Sequence, residues 1–123
     1  MIPPMSVAAA AIHVPDPLGM PLTVVGPKPN TLEGNPVESV HEIHTEDRLQ
    51  VGVWEITPGS FTTVKDGVSE LMHFISGSGT IVGDDGTTTV IAPGVVLITP
   101  DGWSGTWHVS ETARKIYAIV PTR

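Results

Sequence analysis

The chain has 123 residues and a mass of 13.0 kDa, enough for one domain, and 13 acidic against 6 basic residues leave a formal charge of −7. That balance excludes the uniformly basic surface of a nucleic-acid-binding protein, though not a local basic patch. The absence of cysteine excludes disulfide frameworks, zinc ribbons and thiol nucleophiles.

The amino-terminal residues 1–12 superficially resemble a secretory apolar segment, but the first basic residue is Lys28 and prolines interrupt the run. No apolar stretch approaches the roughly 20 residues that span a bilayer, so a cytoplasmic location and no membrane partner are expected. Pro15, Pro17, Pro21, Pro27, Pro29 and Pro36 fix φ and remove ladder donors. Residues 1–36 are therefore predicted to form an extended arm lying on the domain or on a partner subunit, with residues 22–25 as a short edge strand. From residue 37 to residue 123 the signals are those of one β domain. Strands are predicted over 37–44, 49–57 and 60–65, followed by an Asp66-Gly67 hairpin turn. The strand over 68–76 runs to a break at Gly77-Ser78-Gly79, and 80–82 leads to a second hairpin at Asp84-Asp85-Gly86. Strands over 87–91, 95–99, 103–109 and 115–120 complete the set. Val, Ile and Thr supply about a third of the chain and no segment has a helical period, which implies an all-β sandwich or barrel.

Two segments carry a resemblance to the cupin superfamily of double-stranded β-helix (jelly-roll) barrels. Glu70 and Gly77 fit the second half of the first cupin motif, G-x5-H-x-H-x3–4-E-x6-G. Gly94, Pro100 and Gly102 fit the first half of the second, G-x5-P-x-G-x2-H-x3-N. The strings GVWEITPGSF, ELMHFISGSG and PDGWSGTW with RKIYAIV look like the small single-domain cupins of the ureidoglycine aminohydrolase and ethanolamine-utilisation type, over residues 50–120.

The resemblance also implies where metal ligands would stand. With a four-residue gap before Glu70 the two histidine positions fall on Thr63 and Lys65; with a three-residue gap they fall on Val64 and Asp66. The third histidine position is Gly105 and the asparagine position is Val109. One carboxylate alone is a poor metal site, so no metal and no other cofactor is expected. His41 and His44, three apart on a strand, point to opposite faces, leaving His44 with Glu70 as the alternative, a rebuilt metal site.

In the cupin register Glu70 and Lys65 face the barrel mouth, Glu70 as general base and Lys65 as acid or oxyanion stabiliser. Lys115 is a rival acid or base and Tyr117 shares its face; alternation leaves open whether that face points inward. Trp103 and Trp107 flank Gly105, which leaves space where a ligand histidine would stand, so with Thr63 and Tyr117 they are expected to contact substrate. In the same register Trp54 or Glu55 also falls at the mouth, with core packing the favoured reading for Trp54. If Glu70, Met72 and Phe74 face inward, Leu71, His73 and Ile75 face outward, and with the apolar arm they predict a homodimer whose interface the arm crosses. The functional expectation is a metal-independent cupin enzyme performing isomerisation, elimination or C–N or C–O hydrolysis on a small polar metabolite. The alternatives are a non-catalytic small-molecule-binding module, a structural dimerisation domain, and a metal-dependent cupin.

Overall fold

Strand alternation and turn chemistry account for most of the architecture in the computed structural model, which describes residues 8–123. Nine strands follow in order: β1 Thr23–Pro27, β2 Thr31–Gly34, β3 Val37–Glu46, β4 Leu49–Ile56, β5 Gly59–Val64, β6 Val68–Gly83, β7 Thr88–Ile91, β8 Val96–Thr99 and β9 Ser104–Pro121. Among the described residues there is no helix, hence none long and apolar enough to cross a membrane.

The sheet is organised around β9. Its second half pairs antiparallel with β4 (Val53 opposite Ile116) and its first half with β5 (Thr63 opposite Gly105). Along its other edge it pairs with β6, from Val68 opposite Pro121 to Gly83 opposite Gly105. β3 and β1 extend the β4 side, β2 extends the β5 side, and β7 and β8 pair with β6, so the sheet curls into a jelly roll. Pairing of one strand on both edges along such lengths requires bending, and the register shifts at Ser76 and Ser78 supply it. The predicted break at residues 77–79 is therefore a bulged corner within one strand. A Cβ at Gly77 would lie 2.3 Å from Ala113 Cα, and one at Gly79 2.2 Å from the His108 carbonyl oxygen, so only glycine lets β6 and β9 approach this closely. The predicted separation of strands 103–109 and 115–120 is likewise absent: β9 is continuous through residues 110–114.

The concave side holds the core, built from Ile56, Phe61, Met72, Phe74, Ile81, Ile91, Trp107, Val109 and Ala113. Burial at that level contributes roughly 1.5–3 kcal/mol for each large side chain. On β6, Glu70, Met72 and Phe74 are buried while Leu71 is exposed, the alternation expected.

The proline-rich stretch contributes two strands to the sheet, although one edge strand was predicted for it. Its described part is anchored on its own chain, because Arg114 Nη1 donates to the carbonyl oxygens of Pro17 at 3.0 Å and Met20 at 2.8 Å. The predicted arm's first seven residues lie outside the described residues. Between β1 and β2, Pro27 and Pro29 bracket Lys28, Asn30 adopts φ 60°, and the Thr31 hydroxyl donates to the Lys28 carbonyl at 2.7 Å. This rigid turn carries the Lys28 side chain back over the barrel.

Candidate functional site: a lysine-lined cup

A cavity of about 240 Å³ opens at one end of the barrel, and five strands and one turn deliver its lining. β5 supplies Phe61 and Thr63, and Lys65 follows at its end. The Lys65 N–H donates to the Trp103 carbonyl at 2.8 Å and its own carbonyl accepts from Gly102 at 2.7 Å, which pins the backbone beneath the side chain. β6 supplies Glu70, β4 Trp54, and β3 Glu38. β9 supplies Trp107, Lys115, Tyr117 and Ile119, and the β1–β2 turn supplies Lys28.

The face of β9 that alternation left open is now settled: Lys115 and Tyr117 point inward. Arg114 points outward, where its guanidinium pairs with Glu55 at 3.1 Å. Of the two registers for the first motif, the four-residue gap is the one realised. Thr63 and Lys65 line the cup, whereas Val64 and Asp66 are exposed.

At the centre, Glu70 is 3% exposed and accepts two charge-assisted hydrogen bonds. Lys65 Nζ donates to Oε1 at 2.6 Å and Lys115 Nζ to Oε2 at 2.7 Å. Lys115 lies over two indole rings, 4.3 Å from the centroid of Trp54 and 5.0 Å from that of Trp107. Lys28 Nζ pairs with Glu38 at 3.1 Å, and the same Glu38 oxygen accepts from Trp54 Nε1 at 3.0 Å. Among the described residues the buried Thr63 hydroxyl has no hydrogen-bond partner.

These contacts set the protonation states. Burial pushes the Glu70 carboxyl up, but the charges and hydrogen bonds of Lys115 and Lys65 outweigh it and leave it below its ordinary value of 4.5. Burial drives Lys115 down from 10.5 to about 8 against the opposing pull of Glu70, with the charges of Lys65 and Lys28 adding to the fall. Burial, then Glu42 and Glu70, raise the Tyr117 phenol above 10.0.

The histidine positions implied by the cupin motifs hold no ligand here, and the residues present do not fit a metal ion. Two ammonium groups occupy both oxygens of Glu70, where a cation would have to bind. Among the described residues no three His, Asp or Glu side chains are grouped to hold a metal. His44 is half-exposed and paired with Glu46 at 3.0 Å, His108 bonds Ser60 at 3.0 Å, and among the described residues no histidine lines the cup. The rebuilt pairing of His44 with Glu70 does not form.

Trp103 also departs from expectation. It lies outside the cup, against Asp84, Asp85, Pro100 and Asp101. The open space predicted at Gly105 is filled by its indole, since a Cβ there would sit 2.6 Å from that ring and 2.4 Å from the Val82 carbonyl oxygen. Trp54, favoured as core, packs against the core and also walls the cup, edge-on against Trp107 at 5.7 Å. Sequence reasoning missed Lys28, Glu38, Phe61 and Ile119. One signal was present: Lys28 is one of only three lysines, and all three converge on this cavity.

A small jelly roll whose concave end forms a polar cup is the architecture of a cupin. Residues 44–117 match the family model of the EutQ-like cupin domain, and the chain belongs to that family. Among solved structures it is similar to the EutQ protein of Clostridium difficile, with 25% identity, 70% of this chain and 69% of that chain covered, and a TM-score of 0.62. A protein of unknown function from Pseudomonas syringae pv. tomato is 24% identical with a TM-score of 0.74; the match covers 85% of this chain but 46% of that one. The ectoine synthase of P. lautus, at 14% identity and TM-score 0.65 over 75% of this chain and 69% of that one, shares the fold. No curated protein matches the sequence.

Proposed function

We propose that this cupin is a metal-independent enzyme performing acid/base chemistry, an isomerisation, elimination or C–N or C–O hydrolysis, on a small polar metabolite. The observation that supports this reading is the Lys65–Glu70–Lys115 array inside an aromatic cup. In the empty cup Glu70 is a weak base, because both oxygens are held by ammonium groups. A substrate oxygen that takes over Lys65 frees Oε1, and loss of that positive partner raises the basicity of the carboxylate where the substrate proton arrives. Lys65 then neutralises negative charge developing on the substrate oxygen. Lys115, titrating near 8, returns a proton at neutral pH and is the acid.

With a substrate found by screening, Glu70→Gln is expected to lower kcat by roughly 10²–10⁴-fold, the usual worth of a positioned acid or base. Retained turnover would sink the assignment. A non-catalytic binding module is the second reading, favoured by the full engagement of Glu70 by its two lysines. Ligands that raise the melting temperature yet are never converted would support it. Near-stoichiometric Fe, Mn, Ni or Zn in purified protein would overturn metal independence.

We further propose a cytoplasmic homodimer formed through the outer face of β6 and β8. Leu71 pairs with Ile98 and His73 with Val96 there, and Ile98 is 59% exposed. Ile98→Lys is expected to convert dimer to monomer in sedimentation with the β-sheet circular dichroism unchanged; an unaltered sedimentation coefficient would place the contact elsewhere or exclude it.

A further inference from the structure

The charge of the cup is opposite to that of the chain. A protein of formal charge −7 gathers its only three lysines around one small cavity with two carboxylates, so the lining carries an excess of one positive charge. Each ammonium has three N–H donors, and among the described residues each has one carboxylate partner: Glu38 for Lys28, Glu70 for Lys65 and Lys115. Donors are left over on all three. Buried polar groups are ordinarily satisfied, and spare donors around a cavity point to a ligand atom that accepts from them.

We infer that the cup takes a short-chain carboxylate monoanion, its carboxylate oxygens bonded by the spare ammonium donors and its carbon body laid on Trp54, Phe61 and Ile119. The inference rests on the reading of the cup as the ligand site and names its substrate class. Charge selects the anion: one carboxylate cancels the excess, whereas a phosphate monoester at neutral pH carries about −1.5 to −2. Chemistry selects it too. The lining has no arginine fork, and the barrel has no helix N-terminus to cradle phosphate. Volume sets the length: at about 30 Å³ per water, 240 Å³ holds roughly eight non-hydrogen atoms. A drug-sized molecule or a nucleotide, whose pockets run to about 300–1,000 Å³, would extend beyond a cup of this size.

The test uses the tryptophans that line the cup as reporters. Propanoate, 2-oxobutanoate and 3-hydroxybutanoate are titrated at millimolar concentration beside their neutral primary amides and beside inorganic phosphate, following fluorescence and melting temperature. At least one acid is expected to change the fluorescence and raise the melting temperature, with its amide weaker by about tenfold or more, the worth of one charge-assisted hydrogen bond. The double variant Lys28→Gln with Glu38→Gln, which leaves no charge unpaired, is expected to weaken the acid about tenfold. Amides that bind as well as acids, phosphate that binds more tightly than any acid, or no acid binding at all would overturn the inference. Tight, charge-selective binding with no turnover would leave it standing while removing the acid/base reading; turnover of a neutral substrate would do the reverse.

Discussion

Glu70→Gln is expected to destabilise the fold by roughly 3–5 kcal/mol, the cost of removing one partner from a buried ionic array. Glutamine has the size of glutamate and its carbonyl oxygen can still accept one hydrogen bond, so little of the loss comes from packing. It comes from the lysines. Lys115 is 6% exposed and lies against two indoles, and without the carboxylate its ammonium has no counter-charge. For a domain whose total stability lies in the usual range of about 5–15 kcal/mol, that is a large fraction. The contrast is a triple variant, Lys65→Met with Glu70→Leu and Lys115→Met, which removes every charge in the array. Such replacements are commonly neutral or stabilising by about 1–4 kcal/mol, because the desolvation cost disappears with the charges. Urea unfolding of the parent, the single and the triple variant distinguishes the cases. A Glu70→Gln protein within about 1 kcal/mol of the parent would mean that water, not Glu70, solvates the two ammonium groups. The expected order, single variant least stable and triple variant restored, would mark the array as retained for chemistry at a cost in stability.

Stability is expected to rise with pH between about 8 and 10, where most proteins have begun to lose it. The cause is Lys115, at about 8 in the folded chain and near 10.5 when unfolded. Between those values the unfolded chain binds a proton that the folded chain has released, so ΔG of unfolding increases with pH by up to about 1.4 kcal/mol per pH unit. Over the full window the gain is roughly 3 kcal/mol. Tyr117 works against it above pH 10, since its phenol is raised in the fold and holds a proton that the unfolded chain gives up, a contribution that falls as pH rises. At the acid end Glu70 acts in the ordinary direction. Its folded value lies below 4.5, so the stability it contributes is complete above 4.5 and is lost as pH falls through the folded value. Asp85 and Asp101, both exposed, are lowered by hydrogen bonds, first from Thr87 and from Thr122, and titrate in the same acid region. Urea midpoints at pH 7, 9 and 10 measure the alkaline rise, and Lys115→Met is expected to flatten it. A parent curve that already falls between pH 8 and 9 would refute the assignment to Lys115.

The local grammar of the chain was legible residue by residue. Asp66-Gly67, Asp84-Asp85-Gly86 and Pro100-Asp101-Gly102 are where strands end, because these residues accept turn geometry at little cost. Period-two alternation put Glu70 with Met72 and Phe74 on one face and Leu71 with His73 on the other, and the core follows that division. The cupin motifs brought Glu70, Thr63 and Lys65 to one site, and they also showed that the histidine positions are empty of histidine.

Other features depend on distances between strands far apart in the chain. Gly77-Ser78-Gly79 reads as a break, yet it is the corner where β6 bends against β9, visible only once Ala113 and His108 are known to lie opposite. Alternation sorts Arg114 from Lys115 but cannot say which of the two faces the concave side, since both faces of β9 carry apolar residues and curvature belongs to the whole sheet. Trp103 left its expected place for the same reason: it stands before β9 begins and folds over Gly105, while Trp54 reaches the cup from β4, one strand over. Lys28 is the furthest from local inference, 37 residues before Lys65 on a turn that the sequence presents only as proline-rich. By itself, then, the sequence determined which residues share a strand face, because that follows from the two-residue repeat of an extended chain. The tertiary structure decided which faces meet around the cup, because only the curl of the sheet brings three lysines of an acidic protein to one small cavity.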